Sequence, residues 1–335
     1  MSENPIRGTL SVMTMPFNIN KFLLICCFFV GSAYGAMSKQ NDGAPMSAEQ
    51  IAQEVYKVAH GGLVENAVSR RVGNQVALVV NRAPLQMRDP GRKPTVQTFD
   101  TYVNNQPRDP ALESQQMAVL TSGKARGTGL LFTSYNHNSR RSVISMWLPA
   151  LRKIRRINEP AHEDVWFGTN LTYGELVLRR PEDERHELLG KGVMEDCLAV
   201  MQLAPGEMTR YTRDLPEPQC GHRGKPVYRL KSSTNFVNWW YDYHISDIDQ
   251  QTFALYRTVY YKDGEKVKTV YIDWQSLDQP DPRITYPRYI YAITHADGKD
   301  SLVYVPRSTI ALNLELPDAF WSEETLQNYS RIIKP

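Results

Sequence analysis

The stretch 253–274 limits the possible folds more than any other. The runs 253–262 and 267–274 read as strands, and between them lies Asp263-Gly264, whose tolerance of positive φ suits a type I′ turn. Two extended runs so joined must pair antiparallel. The pattern repeats along the chain: 75–81, 95–103, 116–122, 128–135 and 142–148 read as strands, followed by 186–195 and 198–203. Further on, 227–234, the aromatic run 236–245, 289–294 and 302–305 across Asp297-Gly298, and 310–316 continue it. Proline, glycine and aspartate clusters punctuate these runs as hairpin connections.

Helical signals are few. Ser47 and Gln50 form a capping box ahead of the stripe Ile51, Val55 and Val58, which stops at Gly61-Gly62. Ser322 caps a short terminal helix, and Gly168-Thr169-Asn170 hinges into another that offers Leu171, Leu176 and Leu178. About a dozen strands in meander order, with no internal linker, predict a mainly β (α+β) fold: an incomplete, strongly curved antiparallel β-barrel with a few covering helices. Several strands carry apolar residues on both faces, more than so few helices can cover. That mismatch predicts an apolar cavity.

Lys21 precedes the apolar run 22–30, and Ser32, Ala33, Gly35 and Ala36 supply small residues for cleavage after Gly35. We therefore expect a signal peptide over 1–35, a loose segment over 36–46 and a single domain over 47–335. Export leaves Cys197 and Cys220, which in an oxidising compartment pair most simply as a disulfide worth about 3 kcal/mol in the chain-entropy model. The rival reading, a metal held by these cysteines and His222, lacks a fourth ligand at recognisable spacing.

With 39 basic and 36 acidic residues the chain lacks the field of a dedicated nucleic-acid binder, so any basic site is local. Catalytic signatures are missing: there is no Gly-x-Ser-x-Gly elbow, phosphate loop, His-Glu-x-x-His or Cys-x-x-Cys. His162-Glu163-Asp164 could form a proton-transfer pair, yet a solvated loop explains it as well. We expect no enzyme, no cofactor and no metal.

The stretch 142–178 carries the richest local pattern. A strand ends at Pro149; Arg152, Lys153, Arg155 and Arg156 then interleave with Leu151, Ile154 and Ile157, and an acidic loop leads to Trp166-Phe167-Gly168. The order Trp-Leu-Pro-Ala-Leu-Arg-Lys-Ile-Arg-Arg-Ile from Trp147, then Phe-Gly-Thr-Asn-Leu-Thr-Tyr-Gly-Glu-Leu from Phe167, resembles the signature of the outer-membrane lipoprotein-sorting family, relatives of the LolA/LolB carriers. Thr169 and Asn170 stand where that pattern has serine and aspartate. Arg126-Gly127-Thr128-Gly129-Leu130-Leu131 and the closing 316–322 segment resemble further steps of it, so the likeness runs from about Ser47 to the end.

The resemblance implies a LolA/LolB-like periplasmic carrier or chaperone, binding lipid or lipoprotein acyl chains in an apolar cavity. Leu130, Phe132, Ile144, Met146, Trp166, Phe167 and Trp239 are the candidates for cavity or lid, with Trp166 and Phe167 on the glycine hinge. Arg152, Lys153, Arg155 and Arg156 are candidates for lipid phosphates or an acidic partner. Expected partners are an inner-membrane resistance-nodulation-division type exporter or an outer-membrane acceptor, and no nucleic acid. The alternative is an envelope adaptor for such an exporter that carries no ligand.

Overall fold

A computed structural model describes residues 45–88, 93–136, 140, 142–158 and 160–332. The chain divides into two units, and the fold is that of Met46–Pro335; Met1–Pro45, with the expected signal peptide and nearly all of the loose segment, lies outside the described residues apart from Pro45.

The first helix, α1 (Ala48–Ala59), starts as its cap predicts: the Gln50 amide donates to Ser47 Oγ at 3.2 Å, and the Ser47 amide donates back to Gln50 Oε1 at 2.9 Å. The strands follow in two series. The first is β1 (Asn66–Ser69), β2 (Ala77–Arg82), β3 (Thr95–Asn104), β4 (Leu112–Leu120), β5 (Gly129–Tyr135), β6 (Val143–Leu148) and β7 (Lys153–Asn158). The second is β8 (Glu184–Val193), β9 (Pro226–Thr234), β10 (Tyr243–Asp249), β11 (Leu255–Lys262), β12 (Glu265–Ser276), β13 (Thr285–Thr294), β14 (Asp300–Tyr304) and β15 (Ile310–Leu312), before the terminal helix α2 (Glu323–Ile332). Asp263 and Gly264 both adopt positive φ, 50° and 82°, and close β11 onto β12 as a type I′ turn requires.

All pairings are antiparallel, in the order β7-β6-β5-β4-β3-β2-β14-β13-β12-β11-β10-β9-β8, with β1 and β15 joined at the side of β3. Strands β2–β7 and β8–β14 each form a meander, and the two meet where β2 pairs β14. Asp300, fully buried at this seam, accepts from Arg82 at 2.9 and 2.6 Å, from Arg88 at 3.1 Å and from Tyr291 at 3.0 Å. The sheet does not close: β7 and β8 are its two edges, although they are consecutive in the chain.

Alternation sorts side chains onto two faces. On the inner face, Ala77, Val79, Phe99, Leu120, Ile144, Tyr260 and Val270 share one core. Strands as distant in the order as β6 and β11 meet there, so the sheet curls around it. On the outer face, Leu78, Val80, Tyr289 and Leu302 are covered by Met194, Leu198, Val200 and Met201 from the β8–β9 connection, which Cys197–Cys220 cross-links. α2 covers Tyr102, Met117, Val119 and Leu131 on the same face, and Gly129 permits its approach, because a Cβ there would lie 2.8 Å from Leu326.

Three expected strands differ. Residues 198–203 make one bridge, Leu198 to Gln219, and otherwise lie as coil against the sheet. Residues 235–242 are a loop, since Asn238 turns at φ 57° and the aromatics fold inward onto the core. The last strand stops at Leu312, where Asn313 takes φ 51°.

Candidate functional site

Because β7 and β8 occupy opposite edges, the connection 160–180 must cross the sheet, and it does so over the inner face. Trp166, Leu171, Tyr173 and Leu178 from this strap join the inner core, and Trp166 meets Phe99 edge-on at 5.5 Å. Its turn uses positive φ at Phe167 (44°) and Gly168 (76°), and the expected helix is a single π-turn, Gly174–Leu178. Gly174 sits against His162, where a Cβ would come within 2.9 Å.

Polar contacts fasten the strap at intervals. The Asn170 side-chain amide donates to the Ala292 and Lys299 carbonyls at 3.2 and 3.1 Å and to Thr294 Oγ1 at 3.2 Å. Lys268 donates to both Glu175 oxygens at 2.9 Å, with Glu175 4% and Lys268 7% exposed at the side chain, and its ammonium lies 4.3 Å from the Trp240 ring centroid. Burial pulls the Lys268 pKa below its ordinary value despite the carboxylate. Arg179 bonds Tyr241, while Glu184 accepts from Tyr241 at 2.8 Å and contacts His244 at 3.0 Å. Burial pushes the Glu184 carboxyl up, but Arg179 and His244 more than reverse this and hold it well below the usual range. Arg180 bonds Glu113 and the Tyr135 carbonyl.

Between the strap and the end of α1 the inner face keeps a cavity of about 210 Å³. Val58, Val64, Val103, Leu176, Val305 and Leu312 are among its apolar walls, and Gln116 and Arg283 among its polar ones. The volume exceeds the ~150 Å³ of a dry cavity that accepts benzene, and falls below the ~300 Å³ at which drug-sized sites begin. His60 lines it too. Its Nδ1–H donates to the Tyr56 carbonyl at 3.0 Å, leaving Nε2 buried without a hydrogen-bond partner among the described residues, and burial pushes its pKa down.

The structure brings Leu130, Phe132, Ile144, Met146 and Trp239 together in or against the inner core with Trp166 and Phe167 of the strap; none of the seven lines the 210 Å³ cavity. Arg152, Lys153 and Arg155 are exposed on or beside the edge strand β7, and Arg156 instead ties β7 to α2 through Glu323 at 2.6 Å. His162 packs on Phe236 at 4.9 Å between ring centroids. The latches Asn170, Glu175 and Lys268 and the cavity residue His60 escape sequence reasoning. Of these, Asn170 alone carried a signal, as a departure inside a recognisable pattern.

A family model described as an uncharacterized protein matches residues 112–215. No curated protein matches by sequence. Among solved structures, a Vibrio parahaemolyticus domain named as an outer membrane lipoprotein-sorting protein superposes with a TM-score of 0.60 at 14% identity, covering 84% of this chain and 98% of its own. A DUF1329 family protein from Desulfovibrio piger gives 0.59 at 14% identity, covering 83% and 98%. A LolA superfamily protein from Nitrosomonas europaea is more distant, at 0.49 and 13% identity, covering 84% and 99%. The open, curled antiparallel sheet with few helices is thus the fold of the lipoprotein-sorting domains. Among the described residues no helix is long and apolar enough to cross a membrane.

Proposed function

We propose that the protein is a periplasmic carrier of an acylated or lipidic molecule, exported by the 1–35 signal peptide and acting without chemistry of its own. The observation that carries this reading is the apolar cavity on the inner face, walled on one side by a strap that is latched to the sheet rather than continuous with it. As it stands the space suits one short apolar chain. Withdrawal of the strap would add the surface of Leu130, Phe132, Ile144, Met146 and Trp239, with Trp166 and Phe167 moving as the lid. Each methylene buried is worth about 0.8 kcal/mol, so a longer chain could repay the broken latches. An inner-membrane exporter of the resistance-nodulation-division type and an outer-membrane acceptor are the partners that the sequence resemblance suggests.

Organic extraction and mass spectrometry of purified protein, with titration of a fluorescent fatty-acyl probe, tests the reading. We expect co-purified lipid or saturable probe uptake, weakened at least ten-fold by Val103→Trp, which fills the cavity. A protein free of lipid that also takes up no probe overturns it.

A further inference from the structure

Antiparallel pairing places the β2–β3, β4–β5 and β6–β7 connections at one end of the sheet, side by side. The β4–β5 connection is tied to β3, where the Thr98 amide donates to Ser122 Oγ at 2.8 Å, and it touches the β6–β7 connection, where a Cβ on Gly127 would meet Pro149 at 3.3 Å. Lys93, Lys124, Arg126, Arg152, Lys153 and Arg155 are exposed on this corner, and none makes an ion pair among the described residues. The described residues of these three connections and of β7 include no Asp or Glu.

The opposite half of the same rim is built differently. There Asp242 pairs Lys262 at 2.8 Å, with Asp263, Glu265 and Lys266 beside them, the mixture of signs expected of an ordinary solvated surface.

Two leucines protrude from the basic corner, Leu85 at 59% and Leu151 at 54% exposure. Leu151 sits at the tip of a tight turn that the Arg152 amide closes onto the Pro149 carbonyl at 3.2 Å, with Arg152 itself in the left-handed region at φ 50°. An arginine is a costly choice there, where glycine or asparagine would relax the backbone. The strap's Val165, 49% exposed, is carried by a turn whose Asn170 reaches the β13–β14 connection at this same end.

We propose that this corner docks onto an anionic bilayer. Cations near such a surface are attracted to lipid phosphates, and isolated leucines at loop tips can enter the headgroup layer without needing a matching pocket. An acidic protein would satisfy the cations, but it would leave these separate leucines to find individual hollows. The proposal does not rest on the carrier reading, since the cavity lies toward the other end of the inner face.

Flotation of the full chain with vesicles of phosphatidylglycerol and phosphatidylethanolamine, against pure phosphatidylcholine, is the test. All variants keep the same N-terminus, so differences between them report on the rim. Each cation near the surface contributes about five-fold in affinity, so Lys124→Gln/Arg126→Gln/Arg152→Gln should weaken binding about a hundred-fold and remove about half of its salt dependence, since Lys93, Lys153 and Arg155 remain. Leu151→Ser should weaken it a few-fold at every salt concentration, and Lys266→Gln on the mixed half should change nothing. If the triple variant does not fold, Arg152→Gln alone should still show the five-fold loss. Equal partition of the wild type between the two vesicle types overturns the proposal, as does a folded triple variant that binds like wild type. Capture of polyglutamate with no flotation also overturns it.

Discussion

At the scale of single residues, the strap's hold on the sheet comes down to groups that are costly to strand. Lys268→Met leaves the Glu175 carboxylate buried without its partner, and we expect a loss of about 3–5 kcal/mol in urea unfolding; Glu175→Gln/Lys268→Met should recover most of it. His60 gives a pH signature. Its folded pKa lies below the ordinary 6.5, so as pH falls through that value the unfolded chain takes up a proton that the folded chain refuses. The folded state therefore loses stability on acidification below about pH 6.5, and His60→Gln should flatten the dependence of the denaturation midpoint between pH 7 and 5. Arg152→Asn relaxes a left-handed backbone and should raise thermal stability by about 1 kcal/mol while weakening vesicle association. None of these three roles could be read from sequence, because burial and φ belong to the finished fold; Lys268 and His60 look like any lysine on a strand or histidine after a helix.

Elements were more legible where local chemistry was sufficient. The Ser47 capping box and the Asp263-Gly264 turn form as their residues dictate, because each needs only neighbours within a few positions. The aromatic run read as a strand over 236–245 is one only from Tyr243 on, and the segment 198–203 is not one, for one shared reason. Alternating or continuous apolar residues record burial, and a loop folded over a core is buried as thoroughly as a strand within it. Cys197–Cys220, expected from cysteine count and compartment, joins positions 23 apart in the connection on the outer face. Cys197→Ala/Cys220→Ala should cost about 3 kcal/mol in guanidinium unfolding, and limited proteolysis should then cut first between 198 and 219. The strap itself was visible as a hinge and a short helix, but not its path, which follows from which strands form the edges.

At the scale of the whole molecule, the curled open sheet was predictable from strand count and turn spacing, and the resemblance sharpened it. What the sequence could not show is that the two meanders meet at β2 and β14, since pairing partners so far apart leave no local trace. That seam has a consequence for how the molecule comes into being. Arg82 and Asp300 are 218 positions apart, so β2 must wait, one border unclaimed, until nearly all of the polypeptide has been delivered. Long-range closure of this kind is slow, and a chain halted before β14 would present a ready template for sticking to its neighbours. A helper that shields the nascent border until β14 emerges would suit this architecture.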